Sequence, residues 1–257
     1  SMGDHAAITA REMKVSREAQ DELALASHQN LHKAWEEGFF TDLTTGFLGV
    51  NRDTNLRPDS SLESLAKLKP VFGKHDAEQH GAQATMTAGN STPLTDGASV
   101  ALLSSEDWAA EHNIEPRAFL VDSETAAVDF VHGPDGLLMA PTYAVPRLLE
   151  RNNLSLQDFD FYEVHEAFAS QVLATLSAWE DETYCRERLG LQSALGPIDR
   201  SKLNIKGSSL AAGHPFAATG TRILATTAKI LEENGGGRAL ISICAAGGQG
   251  VAAIVER

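Results

Sequence analysis

The sequence predicts an α/β protein in which a layered βα domain follows a helical and loop-rich region. From Ala118 onward, short apolar runs alternate with amphipathic stretches of helical length, a pattern typical of strands and helices layered in one domain. Residues 1–80 instead combine helical periodicity with loops and have little strand character. The length of 257 residues and the hydrophobic content of 42% suffice for one large core or two smaller ones.

The first region is expected to contain two helices and two loops. Ser16 is a good N-cap for a helix that the apolar periodicity extends to about Glu37. A loop rich in Thr, Asn and Asp spans 41–61. A short helix ending before Pro70 is indicated by three leucines at helical spacing, Leu62, Leu65 and Leu68. Residues 71–81 are expected to form the second loop.

The second region is expected to alternate between strands and helices. A strand-like segment at 85–88 and a helix at 105–113 precede it. Strands are expected at 118–122, 161–164, 204–206, 238–244 and 250–255. Helices are expected at 141–152, 166–179 and 215–234, with a loop-rich insertion at 180–203. The last two strands flank a glycine-rich turn, so they should form a buried pair.

Charge and cysteine content narrow the functional classes. The formal net charge is −14 and the acidic residues are spread along the chain, which argues against nucleic acid because phosphate backbones need clustered Lys and Arg. A phosphate-bearing ligand stays compatible, since a few local cations or backbone N–H groups suffice. The chain has no apolar run of 18 residues, so an integral membrane span is not expected. It has no CxxC or HExxH spacing, so a metal site is not expected either. Two distant cysteines and no visible signal peptide favour a reducing compartment.

The first of three motifs at strand ends follows the strand at 161–164 and opens the next helix. It contains His165. Ligand sites in α/β sheets collect at such strand-to-helix junctions, and a neutral His there can hold a water or an oxyanion. The alternative is a histidine that caps its helix and has no chemical role.

The second motif, residues 207–220, places His214 among small residues. Pro215 suits the first turn of the following helix, and the small residues let a ligand or another backbone approach closely. His214 could act as a base or donate to a developing oxyanion. A close-packed helix that requires small residues explains the same pattern equally well.

The third motif, residues 242–250, places Cys244 at the end of an apolar strand, before a glycine-rich turn. The turn can offer backbone N–H groups as an oxyanion hole beside the sulfur, although a free cysteine is more often a small buried hydrophobe. His214 and Cys244 occupy junctions of neighbouring βα units, so we expect them at one edge of the sheet. A Cys beside a His is the arrangement that tunes a thiol near neutral pH.

Together and in order, these motifs resemble the thiolase superfamily. The matching segments are His165-Glu166-Ala167-Phe168, Gly213-His214-Pro215 with Ala218-Thr219-Gly220, and Cys244 with Gly247-Gly248-Gln249-Gly250. Upstream, the matching segments are Met2-Gly3, Ser16-Arg17-Glu18, Gln20-Asp21, 65–70, Thr87-Ala88-Gly89-Asn90 and Asp96-Gly97-Ala98. His165, where many members carry Asn, and residues 140–146 resemble the branch of the trifunctional-complex β-subunit and its bacterial relatives.

The resemblance implies CoA-dependent cleavage of 3-ketoacyl-CoA to acetyl-CoA and a shortened acyl-CoA, by a ping-pong mechanism in fatty-acid β-oxidation. Coenzyme A would be a substrate, and no metal is implied. His214 would activate the nucleophilic cysteine and help to stabilise the thioester oxyanion. Cys244 would shuttle a proton, and His165 would hold a water in the first oxyanion hole. The N–H of Ala246 would contribute to the second oxyanion hole.

The resemblance also implies where coenzyme A binds and how the chain divides. Residues falling where the family lines its CoA channel are Met2, Thr92 and Phe168. Residues 1–81 would form a loop domain that covers and binds CoA. Residues 82–116 would supply returning strands and a helix of the N-terminal thiolase domain, and residues 117–257 the C-terminal domain.

The nucleophilic cysteine of the family is expected to lie outside this chain, in a missing N-terminal half of the thiolase fold. Cys185 is no substitute, because it lies in a charged segment without an adjoining glycine turn. An exposed or semi-buried, inert thiol is expected there. By itself, the chain is expected to be inactive and to leave apolar surface uncovered.

The expected partners are an acyl-CoA substrate, the missing N-terminal half, further copies of the chain in a homo-oligomer and, for this branch, a β-oxidation multienzyme complex. The implied location is the cytoplasm of a bacterium, or the mitochondrial matrix of a eukaryote. Two alternative functions stay open. One is a non-catalytic CoA-binding or assembly fragment, and the other is a thioester hydrolase built on Cys244 and His214.

Overall fold

A computed structural model describes residues 1–257. The chain has ten α-helices, two short 3₁₀ turns and four strands. The helices are α1 (Met2–Glu12), α2 (Arg17–Glu36), α3 (Leu62–Ala66), α4 (Lys74–Gln79), α5 (Glu106–Glu111), α6 (Pro141–Asn152), α7 (Ala169–Glu180), α8 (Glu182–Glu187), α9 (Ser209–Ala212) and α10 (Thr219–Asn234). The strands are β1 (Phe119–Ala127), β2 (Phe161–Val164), β3 (Arg238–Ala245) and β4 (Gln249–Glu256).

The four strands form one mixed sheet in the order β1-β4-β3-β2. β2 runs parallel to β3, while β4 is antiparallel to both β3 and β1. β3 and β4 form a hairpin whose turn contains Gly247 and Gly248, both at positive φ, a conformation that a residue without a Cβ adopts easily. The chain passes from β2 to β3 through α7–α10, because parallel strands need a long crossover. The predicted α/β class and the buried strand pair are thus confirmed.

Helices cover both faces of this sheet. On one face, α6 and α7 pack onto the sheet in the largest apolar cluster, which contains Leu148, Trp179, Leu240 and Ile254. On the other face, α10 packs onto alternate residues of β3 and β4 through a second cluster centred on Ile223. Successive strand residues point to opposite faces, so both sets of strand side chains are buried in a layered core.

The helical region packs against the crossover rather than forming a separate body. Ser16 caps α2 through its side chain, which accepts a hydrogen bond from the Ala19 N–H, so the predicted helix is confirmed. α2 contacts α7 and α9, and Leu31 and Ala34 on its buried face join an apolar cluster with α9 and α10. No helix of the chain combines the length and the apolar character that a membrane crossing requires.

Several element boundaries differ from the sequence-based expectation. The 71–81 segment contains α4 instead of only a loop, with Gly73 at its start. The strand expected at 204–206 is absent, because Asn204 has a positive φ and pairs through its side chain with the N–H and C=O of Val164. α10 starts at Thr219 instead of residue 215, because Ala217 has a φ of 66° and cannot continue a right-handed helix.

Residues 82–116 contain no regular strand. Thr87 makes an isolated bridge to Pro70, and a 3₁₀ turn follows at Ala88–Asn90. Residues 94–104, called here the apolar arm, have no secondary structure and make no backbone–backbone hydrogen bonds. Four large apolar side chains of the arm are exposed: Leu94, Val100, Leu102 and Leu103. The returning strands predicted for this segment are therefore absent from the chain's own structure.

Candidate active site

One cavity of about 670 Å³ lies at the junction of α1, β2, β3 and the loop before α10. All seven residues predicted from the sequence line it: Met2, Thr92, His165, Phe168, His214, Cys244 and Ala246. Two of the three motifs line the cavity because they lie at the carboxyl ends of neighbouring parallel strands. His165 follows β2 and Cys244 lies near the end of β3, and β2 is parallel to β3, so their carboxyl ends meet at one edge. The crossover returns to this edge before α10 and brings His214 there.

His165 is buried, and its ring Nδ1 lies 2.9 Å from the Ser209 hydroxyl. The Ser209 oxygen also accepts a hydrogen bond of 2.8 Å from Arg222 Nη2. Burial, followed by the neighbouring His214 and Arg222, lowers the pKa of His165 well below its ordinary value. The ring is therefore neutral at pH 7, with Nε2 free of protein hydrogen bonds.

Glu166 fixes the backbone beside His165. Its carboxylate accepts hydrogen bonds from the Ser27 hydroxyl at 2.7 Å, the Asn204 side-chain amide at 2.8 Å and the Leu210 N–H at 3.1 Å. These donors belong to α2, the β2–α10 crossover and α9. Burial raises the pKa of Glu166 and the three hydrogen bonds oppose that rise. One buried carboxylate thus joins four chain segments under the cavity.

A second buried carboxylate, Glu163, has no hydrogen-bond partner on either oxygen. It lies on β2 two residues before His165, on the face that α10 covers. Burial raises the pKa of Glu163 to about 8, opposed by the positive charge of Arg222. The Arg222 Nε is likewise buried without a partner. Glu163 therefore differs sharply from Glu166, although only two residues separate them.

His214 follows Gly213, whose φ of 96° lets the chain turn into the cavity. A Cβ at Gly213 would lie 2.6 Å from Thr95, so only glycine fits. The His214 N–H donates to the Pro93 carbonyl at 3.1 Å, and its Nδ1 lies 2.6 Å from Thr219 Oγ1. Burial and then the charge of Arg222 lower the pKa of His214, so this ring is also neutral at pH 7.

The two histidine rings face each other, with ring centroids 4.4 Å apart and an interplanar angle of 52°. The ring of Phe216 lies 4.9 Å from that of His214 on its outer side. Phe216 itself is exposed at the cavity mouth. The two histidine rings are therefore in contact with each other, and an aromatic ring shields one of them.

Cys244 is buried at the base of the cavity and makes no hydrogen bond to either histidine. Burial raises the pKa of its thiol to about 12. The expectation of a thiol tuned near neutral pH by His214 is therefore wrong, because that tuning requires contact with the imidazole. Cys244 is protonated at pH 7, which suits a proton donor better than a nucleophile.

The turn after Cys244 presents a free backbone donor. The N–H of Ala246 makes no hydrogen bond within the chain, and Ala246 lines the cavity. An unpaired N–H beside a buried thiol is the type of donor that oxyanion holes use.

The three residues predicted to contact CoA line the cavity in different ways. Met2 is partly exposed at the start of α1. Phe168 is nearly buried and packs edge-to-face on Phe72 at 5.9 Å. The Thr92 hydroxyl donates to the Ser209 carbonyl at 2.6 Å. Thr92 therefore ties the 91–92 segment to α9, in addition to lining the cavity.

Cys185 lies outside the cavity. Its thiol is fully buried between α7 and α8 and contacts the carbonyl oxygens of Ala178 and Trp179 at 3.4 and 3.5 Å. The expectation of an exposed or semi-buried thiol is wrong, because the supposed insertion forms α8 and packs back onto α7. Burial raises the pKa of Cys185, so it has no features of a nucleophile.

Sequence reasoning missed two groups of cavity residues. One is the apolar wall contributed by segments outside the three motifs: Phe72, Leu94 and Leu138. The other is the polar support formed by Ser209 and Arg222. Ser209 lay inside the second motif, but nothing in the sequence distinguished it from Ser208. No group of three or more His, Cys, Asp or Glu side chains could hold a metal ion.

Comparison with known proteins identifies the family. The model of the thiolase N-terminal domain matches residues 1–107, and that of the thiolase C-terminal domain matches residues 114–257. The chain belongs to the thiolase family and carries segments of both family domains. The finer division at residue 81 stays a prediction.

Among curated proteins, the chain is 41% identical to 3-ketoacyl-CoA thiolase of Yersinia enterocolitica and 42% identical to that of Yersinia pestis. Each match covers 99% of the chain and 58% of the relative's length. Among solved structures, it resembles the Bacillus anthracis acetyl-CoA acetyltransferase, with a TM-score of 0.81, 34% identity and coverage of 100% and 60% of the two chains. The chain also resembles human mitochondrial 3-ketoacyl-CoA thiolase, with a TM-score of 0.80 and 33% identity. This match covers 100% of the chain and 59% of the human protein's chain.

Proposed function

We propose that this chain supplies the acid/base and oxyanion-binding part of an enzyme that cleaves 3-ketoacyl-CoA with coenzyme A. The observation that carries this proposal is the convergence of His165, His214, Cys244 and the unpaired N–H of Ala246 on one cavity. The curated relatives named 3-ketoacyl-CoA thiolase support the same reaction class. The relatives are longer than this chain, so the complete reaction is attributed to the whole enzyme.

In the proposed reaction, a cysteine thiol outside this chain loses its proton to His214 and attacks the 3-keto carbon. The bond between C2 and C3 breaks, an acyl-enzyme thioester forms, and the Cys244 thiol protonates the departing acetyl-CoA carbanion. A second CoA thiol then gives its proton to the Cys244 thiolate and attacks the thioester. The acyl group leaves as the shortened acyl-CoA, and the cysteine thiolate takes its proton back from His214, which regenerates the free thiol and the neutral imidazole.

Two donors would stabilise negative charge during these steps. His165 would bind the ketone oxygen in the first step, directly or through a water, and the Ala246 N–H would bind the thioester oxygen of acetyl-CoA as the carbanion forms. Preorganised donors of this kind contribute most where charge develops in the transition state. His165 is held by Ser209 and Ala246 by a glycine turn, so both are in place before the substrate arrives.

The lining of the cavity supports binding of the reacting, thioester end of the substrate. Twelve of its 19 lining residues are hydrophobic, and none is Lys or Arg. The phosphates of CoA would therefore lie outside the cavity, while Met2, Thr92 and Phe168 contact the chain that carries the thiol. We extend the proposal to fatty-acid β-oxidation and to a bacterial cytoplasmic or mitochondrial matrix location, as the resemblance of the motifs implies; the similar proteins include a bacterial and a human mitochondrial 3-ketoacyl-CoA thiolase.

The exposed side chains of the apolar arm indicate that a further polypeptide segment packs against it. Its side chains at 94–104 are exposed next to the cavity mouth, where Leu94 already lines the wall. A contiguous exposed apolar patch is typical of a covered interface. We propose that an additional thiolase segment carrying the nucleophilic cysteine packs on the arm, and that the assembled enzyme is a homo-oligomer or part of a β-oxidation complex.

The proposal is tested by reconstitution. The region of a 3-ketoacyl-CoA thiolase that precedes the match to this chain is mixed with the chain, and CoA-dependent cleavage of a 3-ketoacyl-CoA is measured. Activity should require both pieces and should fall by about 100- to 10,000-fold with His214→Ala or Cys244→Ser, as expected from losing an acid/base group. Cys185→Ser, outside the cavity, is the matched control and should retain activity. Absence of cleavage by a folded, assembled pair would contradict the proposal.

Two other functions give different results in the same experiment. A CoA-binding or assembly fragment would bind CoA in calorimetry, with no dependence of any turnover on Cys244. A thioester hydrolase would release CoA from acyl-CoA with this chain by itself. The raised pKa of the Cys244 thiol and its lack of a hydrogen bond to His214 count against the hydrolase.

A further inference from the structure

Both cavity histidines touch a hydroxyl through the same ring atom. Ser209 Oγ lies 2.9 Å from Nδ1 of His165, and Thr219 Oγ1 lies 2.6 Å from Nδ1 of His214. A hydroxyl has one proton to donate and can accept more than one hydrogen bond. The other contacts of each oxygen therefore decide in which direction its hydrogen bond to the imidazole runs.

At Ser209, the second contact is a donor. Arg222 Nη2 lies 2.8 Å from the oxygen, and a guanidinium has N–H groups but no acceptor. The Ser209 oxygen accepts this hydrogen bond, and its own proton has one acceptor within reach, Nδ1 of His165. Nδ1 of His165 is then unprotonated. In a neutral ring the proton must be on Nε2, the atom that has no protein partner.

At Thr219, the second contact is an acceptor. Thr219 Oγ1 lies 3.2 Å from the carbonyl oxygen of Pro215, which can only accept. The Thr219 proton goes to this carbonyl, and the oxygen accepts a hydrogen bond from Nδ1–H of His214. Nε2 of His214 then carries a lone pair instead of a proton.

We propose that Ser209 and Thr219 hold the two histidines in opposite tautomers, so that Nε2 of His165 is a hydrogen-bond donor and Nε2 of His214 is a proton acceptor. Arg222 is a positioning residue that acts through Ser209. The catalytic roles of these two Nε2 atoms rest on the proposed function. The tautomers themselves rest only on the four contacts described above.

The opposite tautomers explain how two similar side chains, 4.4 Å apart, have different roles. A neutral imidazole with a free Nε2 can take a proton from a thiol. The same ring with Nε2–H can stabilise an oxyanion but cannot act as a base from that atom. Burial lowers the pKa of both rings, and therefore the neutral tautomers are the forms that matter at pH 7.

The test uses the full chain with its histidines labelled with ¹⁵N. Two-bond and three-bond ¹⁵N–¹H correlations distinguish a protonated from an unprotonated ring nitrogen. The nine histidines include the two of interest, which are assigned by the loss of their signals in His165→Gln and His214→Gln. We expect His165 to be protonated on Nε2 and His214 on Nδ1. If both rings carry the proton on the same nitrogen in the unsubstituted chain, the proposal is overturned, whether or not any variant folds.

Variants then assign the cause. Thr219→Val, nearly isosteric, should move the His214 proton from Nδ1 to Nε2, while Thr219→Ser should keep it on Nδ1. Ser209→Ala should shift the Nδ1 resonance of His165 to that of an unbonded nitrogen. Ser208→Ala is the matched control, because Ser208 is equally buried and its hydroxyl has no partner, and the spectrum should not change.

An unaltered tautomer in Thr219→Val, or an equal response to Ser208→Ala and Ser209→Ala, would overturn the proposal. The reconstituted cleavage reaction separates this result from the proposed function. Opposite tautomers in a chain that never supports cleavage would leave the tautomer assignment intact and reject the enzymatic role. In an active enzyme, Thr219→Val should lower kcat more than 10-fold with little change in KM, because it removes a base and not a binding contact.

Discussion

The sheet region and the apolar arm have similar apolar composition but different structures. In residues 238–256, apolar side chains lie on two paired strands, and α6, α7 and α10 cover both faces. In residues 94–104, side chains of the same type are exposed and the backbone pairs with nothing. An apolar run therefore becomes a strand only where a neighbouring strand can satisfy its N–H and C=O groups and a further layer can cover it.

The largest expected effect is a direct contrast of the two regions. Leu148→Ala, in the fully buried cluster on α6, should lower the free energy of unfolding by about 2–5 kcal/mol, because it leaves a cavity in a packed core. Leu102→Ala, at an exposed position of the arm, should change it by less than about 0.5 kcal/mol. Urea denaturation followed by circular dichroism measures both. Equal losses would show that the arm is packed in solution.

The second contrast sharpens the comparison at the level of polar groups. At pH 7, Glu166→Gln should destabilise the fold by about 2–3 kcal/mol, because an amide cannot accept all the hydrogen bonds that the carboxylate receives. Glu163→Gln should instead stabilise the fold at pH 7, since Glu163 has no partner to lose and its raised pKa means that folding must take up a proton at this pH. Chemical denaturation of both variants checks the difference, and a larger loss at Glu163 would contradict it.

The pH dependence of stability should single out Glu163. Its pKa is raised to about 8 in the fold, against about 4.3 in an unfolded chain, so between these values the folded state binds more protons. The contribution of Glu163 to the free energy of unfolding is fully present below about pH 4, and it is lost as the pH rises to 8. The slope is at most about 1.4 kcal/mol per pH unit. Glu163→Gln should flatten this part of the curve in denaturation measured from pH 5 to 8, and an unchanged slope would contradict the assignment.

The smallest expected effect concerns the backbone next to His214. Ala217 has a φ of 66°, a conformation that costs an L-residue about 1–2 kcal/mol. Ala217→Gly should therefore stabilise the fold by about 0.5–1 kcal/mol after the greater entropy of the unfolded glycine is subtracted. Ala218→Gly, at a right-handed position with φ −96°, is the matched control and should destabilise by a similar amount. Thermal denaturation compares the two, and stabilisation by both would contradict the strain at Ala217.

Much of the fold could be predicted because it depends on local patterns. α6 and β2 have the predicted boundaries, since Pro141 suits a first helical turn and 161–164 is a short apolar run before a polar junction. Boundaries failed where a long-range contact replaced a local one. α7 begins at Ala169 rather than 166, because His165 continues the pairing to β3 and Phe168 bridges to Ser91.

The candidate site likewise has residues that the sequence predicted and residues that it did not. The three motifs could be found because their residues are contiguous and lie at strand ends. Ser209, Arg222 and Phe72 could not, because their importance comes from contacts with residues 44, 13 and 96 positions away, respectively. The protonation of Cys244 was also unpredictable from the sequence, since it depends on how deeply the thiol is buried and on whether a histidine reaches it.

The sequence by itself determined the α/β class, the order of the main elements and the motifs that contain His165, His214 and Cys244, since hydrophobic periodicity and contiguous motifs are local properties of the chain. The resemblance of the sequence to the thiolase family added Met2, Thr92, Phe168 and Ala246, and all seven residues line one cavity. Only the tertiary structure decided that the apolar arm stays unpaired, that Cys244 is a protonated thiol, and that the two histidines contact different hydroxyl environments. Those outcomes depend on which segments meet in space, and hydrogen bonds and burial act over a few ångströms between residues far apart in the chain.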